Sequence, residues 1–385
     1  MKHRTPLLLA AIAAIVVLAA CGSSSSSSSS RSTSSATTTA VAVTTPGSTL
    51  TGSSAPSVAA GSVTLKLLSY DAYVLPDSIK QFTAATGIGV EFVKAGADAG
   101  TLVNSAILTA GKPQGDVLFG IDNTLLSRGV TSKGLFIPYL SKESANLDQR
   151  ATALVPGHEV TPIDTSDVCV NIDTAYFTAK GLTPPATFDD LVKPEYKGML
   201  VVENPGTSST GLAFMLATVA KYGLDGFPAY WKQLRGNGVV AVDSWDDAYF
   251  NEFSQGGSGG KLPIVVSYAT SPPYPLVTGD EPRPTVPTTA NLPDTCFRQI
   301  EFAGILDGSK HVAEDQQLID FLAGRSYQES LPLSNFVYPI RADATVPDVF
   351  TKYATLSPKP WSVSPGDIAK NRDAWIETWT KTVLR

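Results

Sequence analysis

The sequence predicts an α/β fold in which strands and helices alternate along a globular chain. Of its 385 residues, 43% are hydrophobic and 17% are charged, a mix that excludes a fibrous or wholly disordered protein. From residue 63 onward, short apolar or alternating segments are separated by amphipathic helical segments. This order is typical of βαβ units and predicts a parallel sheet covered by helices.

The first 62 residues are predicted to be a signal peptide followed by a flexible tether. Residues 1–20 combine a basic start with an apolar run, 7–18, that is too short to span a membrane, and this pattern is typical of a signal peptide. The following Leu-Ala-Ala-Cys-Gly motif resembles a bacterial lipobox, which implies cleavage before Cys21 and lipidation of that residue; an ordinary signal peptide with a chance cysteine is the alternative. Residues 21–62 are rich in Ser and Thr and predict a disordered tether.

The first part of the globular region is predicted to bring its strand ends together. Strands are expected at 63–67, 90–93 and 116–120, with helices ending near 86 and covering 101–110. In parallel sheets, ligands bind beyond the carboxyl ends of the strands. Tyr70 and Asp122 both follow predicted strands, so we expect them near a ligand.

The second part is predicted to continue the alternation. Strands are expected at 168–172, 199–202, 264–268 and 297–305, and helices at 212–220 and 246–253. The proline-rich stretch 272–293 is predicted to be irregular. Trp375 and Trp379 are spaced four residues apart in a C-terminal helix, which favours packing in the core.

The two remaining cysteines, Cys169 and Cys296, fall in segments predicted to be strands. An even pair in an oxidising compartment predicts a disulfide that staples the strands crossing between lobes. Two separate buried thiols are the alternative.

Several short motifs follow one another along the globular region. They are SYDAY at 69–73, GIDN at 120–123, TSSTG at 207–211, SW at 244–245, SYATSPPY at 267–274 and NRDAWI at 371–376. In this order they resemble the thiamine-binding subunit of bacterial ABC importers, a family related to iron(III) and polyamine binders. The resemblance implies a two-lobed, type II periplasmic-binding-protein-like fold with a ligand cleft between the lobes. We expect lobe 1 at 63–170, lobe 2 at 171–295, a return to lobe 1 at 296–340, and a C-terminal helical segment, 341–385, packing on both.

The same resemblance implies a set of ligand-binding residues. It comprises Tyr70, Asp122, Ser208, Ser209, Trp245, Tyr268, Tyr274 and Phe336. Aromatic rings suit the flat, positively charged thiamine, and Asp122 would be an anionic acceptor. Alternatives stay open from the residues alone. They are core or turn packing for Tyr70 and Tyr268, burial by a neighbouring element for Trp245, and helix capping by Asp122 and by Ser209 or Thr210.

The sequence departs from the family at two positions. Gly206 stands where relatives often carry Arg, which weakens the case for a phosphorylated ligand. Phe336 replaces a Trp that is common at this pocket position, so the wall there has less area and lacks an indole N–H.

The predicted function is therefore transport rather than catalysis. A net charge of −6 argues against nucleic-acid binding, and neither a nucleophile motif nor a zinc motif surrounds the histidines, so no catalytic residue, metal or cofactor is expected. We expect a monomeric solute-binding protein, lipid-anchored outside the cell membrane, that delivers thiamine or thiamine monophosphate to an ABC permease and its ATPase. Iron(III) or polyamine binding, and a tethered secreted hydrolase, are the competing hypotheses.

Overall fold

The computed structural model describes residues 63–131, 134–278 and 281–385. The predicted signal peptide 1–20, the lipidation site Cys21 and the tether 21–62 lie outside the described residues. Within them, the strands are β1 (Thr64–Tyr70), β2 (Gly89–Gly96), β3 (Val117–Asp122), β4 (Phe136–Ile137), β5 (Thr161–Asp173), β6 (Leu200–Glu203), β7 (Val240–Val242), β8 (Ile264–Tyr268), β9 (Thr289–Leu306) and β10 (Tyr338–Pro339).

Helices of very different length fill the connections between these strands. They are α1 (Ile79–Thr86), α2 (Ala99–Leu108), α3 (Leu126–Thr131), α4 (Gln149–Thr152), α5 (Thr174–Lys180), α6 (Ser209–Gly236), α7 (Tyr274–Thr278), α8 (Val312–Leu322), α9 (Arg325–Ser334), α10 (Asp348–Tyr353) and α11 (Pro365–Val383). Two 3₁₀ turns, Ser144–Asn146 and Pro194–Tyr196, and a π-helical turn, Asp247–Glu252, complete the set. Across the described ranges, no helix combines the length and apolar character needed to span a bilayer.

The strands form one mixed sheet in the order β2-β1-β3-β9-β5-β8-β6-β7. Its two ends are parallel, as predicted: β1 pairs with β2 and β3, and β6 pairs with β7 and β8. The prediction of a parallel sheet is wrong at the centre, where β9 runs antiparallel to β3 and β5, and β5 antiparallel to β8. The alternation of strands and helices does not indicate the direction of each strand. Long connections precede β5 and β9 and bring them back antiparallel to their neighbours.

The two central strands connect the parallel ends of the sheet. β9 pairs with β3 near residues 301–305, whereas β5 pairs with β8 near residues 168–172. β5 and β9 also pair with each other along most of their length, so they join the two parallel ends into one continuous sheet. The predicted lobe boundaries at 170/171 and 295/296 fall within these two strands, and they stay a prediction.

Most predicted elements are present with shifted ends. β8 has the expected bounds. β1, β3 and β6 each start one residue later than predicted and end later, whereas β2, β5 and β9 extend beyond the predicted bounds at both ends. The proline-rich stretch 272–293 is not wholly irregular, because it contains α7 and the start of β9. The predicted helix at 246–253 is a single π-helical turn, since Phe253 is extended and ends it.

The core contains separate apolar clusters on the two sides of the central strands. Leu65, Phe82 and Leu318 belong to one cluster beside β1, and Val201 and Phe253 belong to another beside β6. Trp375 and Trp379 are buried in the largest cluster, which confirms that they pack in the core. Burial of this apolar surface is the main force that holds each side of the sheet together.

The predicted disulfide is present between Cys169 on β5 and Cys296 on β9. Both cysteines are fully buried. The pairing register of the two strands shifts here: Val168 pairs with Phe297, whereas Val170 pairs with Leu292. The disulfide therefore ties β5 to a bulged segment of β9.

Candidate functional site

One cavity of about 540 Å³ brings together seven of the eight predicted ligand-binding residues. Its wall includes Tyr70, Ser208, Ser209, Trp245, Tyr268, Tyr274 and Phe336. These residues come from distant segments of the chain, so the cavity exists only once the sheet has formed. Its volume is within the usual range for small-molecule sites.

Tyr70 enters the cavity from the carboxyl end of β1 because its neighbour on β3 is a glycine. A Cβ at Gly120 would lie 2.6 Å from Cε1 of Tyr70, and Gly120 also has a positive φ of 105°. Any larger residue would collide with the ring and strain the backbone. The Tyr70 hydroxyl donates to Glu301, 3.0 Å from Oε2 and 3.1 Å from Oε1.

Trp245 forms an aromatic wall whose orientation is fixed by its neighbours. Its ring stacks on Tyr249 with centroids 5.0 Å apart, and Tyr268 lies 5.9 Å away. The indole Nε1 donates to Ser267 Oγ at 3.0 Å. The half-buried ring is already fixed on one face and at its N–H. Its other surface can therefore contact a ligand with little further loss of side-chain entropy.

Tyr274 and Phe336 form a second aromatic contact in the cavity wall. Their ring centroids are 5.0 Å apart in an edge-to-face arrangement. Phe336 has a φ of 55°, a left-handed conformation that is unusual for an aromatic residue and costs backbone energy. The ring of Phe336 also packs on Phe350, 5.8 Å away, which helps to hold the strained residue in place.

The amino terminus of the long helix α6 forms a polar part of the wall. Ser208 is its N-cap and accepts from Gly211 N, so the alternative in which Ser209 or Thr210 caps the helix is wrong. Ser208 and Ser209 both line the cavity. A Cβ at Gly211 would lie 2.5 Å from the Glu203 carbonyl oxygen, so only glycine lets α6 start this close to β6. The helix presents hydroxyl groups and the positive end of its dipole to the cavity.

The cavity is acidic, and the described residues that line it include no Lys, Arg or His. Four carboxyl groups contribute to the wall, from Asp98, Asp164, Asp246 and Glu301. Burial raises the pKa of Asp98 and Asp246 above the ordinary range of a carboxyl group. A negative wall without a positive counterpart is suited to a cation rather than an anion.

Asp122 is the predicted ligand-binding residue that does not line this cavity. It is fully buried, and its oxygens accept from Thr124 N and Oγ1, from Leu125 N, and from Gln299 Nε2 at 2.7 Å. This set of contacts fits the alternative, in which Asp122 caps the chain before α3. Its role as a ligand contact stays a prediction.

Sequence reasoning missed Asp164 and Glu301, the two carboxyl groups of the central strands that line the cavity. Each is an acidic residue in a strand whose other side chains are mostly buried. A charged residue within an otherwise buried strand is costly unless it is paired or functional, and that signal was available from the sequence. The sequence pattern does not predict that the two residues are paired across β5 and β9.

We expect Asp122→Ala to lower the free energy of unfolding by on the order of 2 kcal/mol, since it leaves several buried donors without an acceptor. Denaturant unfolding measures this change, and Asp225→Ala, at an exposed position of α6, is the control. A variant that unfolds like the parent but loses most of its ligand affinity would instead support a direct ligand contact.

A model of the bacterial extracellular solute-binding protein family matches residues 120–363 of this chain. The chain belongs to this family. The match covers the central strands β5 and β9 and most residues of the cavity. An extracellular solute-binding protein requires a cavity accessible to small molecules, which is the feature described above.

Several relatives of this solute-binding protein are thiamine-binding periplasmic proteins. It is 29% identical to the thiamine-binding periplasmic protein of Escherichia coli over 293 residues, 75% of this chain and 82% of the relative. Among solved structures, a periplasmic thiamin binding protein covers 84% of this chain and 96% of its own at a TM-score of 0.70 and 25% identity.

The two-lobed fold is shared with proteins that bind other solutes. The apo ferric ion-binding protein A of Pasteurella haemolytica aligns with 83% of this chain and 97% of its own at a TM-score of 0.63, with 20% identity. At that identity the likeness concerns the fold alone. The choice of ligand is therefore a property of the cavity residues rather than of the architecture.

Proposed function

We propose that this protein binds thiamine in its cavity and delivers it to the permease of an ABC importer, whose ATPase supplies the energy. In this proposal the chain acts as a monomer, catalyses no reaction, and is held on the outer face of the cell membrane by lipid on Cys21. The thiamine-binding relatives support the ligand, and the family supports transport.

The observation that carries the proposal is the combination of aromatic rings and carboxyl groups in one cavity without a basic side chain among its described wall residues. Thiamine joins a positively charged thiazolium to a flat aminopyrimidine. Aromatic faces attract such a cation by about 0.5–2 kcal/mol each when water is excluded. The carboxyl groups add charge complementarity, which discriminates against neutral and anionic solutes.

The polar end of α6 suits the hydroxyethyl arm of thiamine. Ser208 and Ser209 place hydroxyl and backbone groups at this wall, where they can hydrogen-bond a hydroxyl of the ligand. A monophosphate would bring negative charge to a cavity with four carboxyl groups. We therefore propose that thiamine is preferred to thiamine monophosphate, in agreement with glycine at position 206.

Binding would be coupled to closure because the wall comes from both ends of the sheet. Tyr70 is on β1 at one end, whereas Trp245 and Tyr268 belong to the end that contains β6 and β8. A ligand that touches both sides stabilises the conformation in which they are close. The closed form is the species proposed to dock on the permease.

Calorimetric titration of the purified protein with thiamine tests this function. We expect saturable binding of one thiamine per chain and a rise in the thermal unfolding midpoint, since a ligand bound only by the folded state stabilises it. Thiamine monophosphate should bind more weakly than thiamine. The absence of both heat and a thermal shift with thiamine would exclude the proposed ligand.

A polyamine is the second candidate, because four carboxyl groups distributed around one cavity also suit a flexible polycation. Spermidine titrated under the same conditions distinguishes the two, since a polyamine lacks rings to stack on Trp245. For iron(III), the described residues hold no group of three or more His, Cys, Asp or Glu side chains that could bind a metal. Visible absorption after iron addition tests that alternative directly.

A further inference from the structure

Two carboxyl groups lie side by side where the central strands pass beneath the cavity. Asp164 on β5 and Glu301 on β9 are direct partners in the antiparallel register. Side chains at such positions have Cβ atoms about 5 Å apart. Asp164 is 2% exposed and Glu301 is 8% exposed, yet both belong to the cavity wall.

The groups that act on this pair come from every neighbouring element. They are Tyr70 and Tyr73 near β1, Asp122 on β3, Tyr268 on β8 and Tyr327 on α9. All are acidic or phenolic, and Tyr70 donates a hydrogen bond to Glu301. None of these groups brings a positive charge to the pair.

Two buried carboxylates this close cannot both stay ionised without a positive partner. Burial, with the nearby Asp122 charge, raises the pKa of Glu301 to about 8. Burial and the neighbouring Glu301 raise the pKa of Asp164 well above its ordinary range. At neutral pH the pair thus retains a proton in the empty cavity.

We propose that the Asp164–Glu301 pair determines the specificity of the cavity for a cation by exchanging its proton for the positive charge of the ligand. The inference rests on the proposed function and specifies how that site recognises charge. On binding, one carboxyl O–H bond breaks, the proton leaves to solvent, and the ligand cation compensates the second carboxylate. The net charge of the filled site is unchanged, so a neutral analogue gains nothing from the pair.

Calorimetric titration with thiamine in buffers of different ionisation enthalpy measures the protons released. We expect about one proton released per thiamine near pH 6.5, and a dissociation constant that falls close to tenfold per pH unit until about pH 8. Glu301→Gln should bind more weakly, release no proton and lose the pH dependence. Asp246→Asn, which changes a more exposed carboxyl group of the same cavity, should keep the release.

The neutral aminopyrimidine half of thiamine supplies a matched ligand without the cation. At the upper end of the same pH range, where its ring nitrogen is unprotonated and the molecule is neutral, it should bind weakly and with no proton release. Thiamine binding without proton release in the parent protein, or a full pH slope in both Glu301→Gln and Asp164→Asn, would overturn the inference while leaving thiamine binding intact.

The empty protein provides a test that does not depend on the ligand. The pKa of Glu301 is higher in the folded chain than its ordinary value near 4.5, so the folded state binds more protons between these values. The free energy of unfolding should then fall as pH rises from about 5 to 8, and Glu301→Gln should remove part of this fall. If parent and variant show the same pH dependence, the pair holds no proton and the inference is wrong, whatever the result with thiamine.

Discussion

Replacing Trp245 with alanine should weaken thiamine binding by roughly thirty-fold or more. The substitution removes the largest ring of the cavity wall, and loss of a desolvated cation–π contact together with apolar contact area corresponds to about 2 kcal/mol or more. The effect on affinity should be direct because Trp245 is already held in place by Tyr249 and Ser267 before the ligand arrives. Calorimetry or displacement of a fluorescent ligand measures the change.

Two further variants test whether the loss of affinity is specific to the aromatic ring in the cavity wall. Trp245→Phe keeps an aromatic face and loses the indole N–H, so it should retain binding within about tenfold of the parent. Trp361→Phe changes a tryptophan outside the cavity, whose Nε1 donates to the Asp294 carbonyl at 2.8 Å, and should leave affinity unchanged. A folded Trp245→Ala protein with parental affinity would remove this ring from the site.

The second large effect is expected from the disulfide between Cys169 and Cys296. Its cysteines are 127 positions apart, so in the chain-entropy description it restricts a long loop of the unfolded chain. Removal of both sulfurs by Cys169→Ala and Cys296→Ala should lower the free energy of unfolding by about 2–5 kcal/mol. Denaturant unfolding under oxidising conditions measures the difference.

The position of this disulfide also connects stability to the cavity. Cys169 pairs in register with Ser267, the acceptor of the Trp245 indole, and the next pair, Val168 with Tyr268, ends at a cavity ring. We expect thiamine affinity to fall less than stability, because the β5–β8 ladder remains. Chemical reduction of the parent protein should reproduce the double variant. An unchanged unfolding free energy in both would contradict a stabilising role.

The secondary structure and much of the site were predictable from local patterns. The apolar alternation before residue 70 and the strand 264–268 predicted β1 and β8, and those strands deliver Tyr70 and Tyr268 to one cavity. Trp375 and Trp379 were correctly predicted to pack because their spacing places them on one helical face. Patterns within about ten residues contain that information.

Local patterns could not predict the role of Asp122. An acidic residue after a strand is equally suited to cap the chain and to contact a ligand, and only the positions of Thr124 and Gln299 distinguish these roles. In the structure, the acidic residues on the wall include Asp164 and Glu301 instead, whose proximity is created by the antiparallel register of two strands far apart in the sequence.

The sequence by itself determined the alternation of elements, because that follows from residue type and short-range spacing, and it left an even number of cysteines in the globular region. The aromatic character of the site was implied by the resemblance to a known family. The tertiary structure alone decided the direction of the central strands, the burial of Asp122 and the meeting of Asp164 with Glu301. Those features depend on long-range strand pairing, and the low dielectric that changes the chemistry of a carboxyl group arises only after the chain has folded around it.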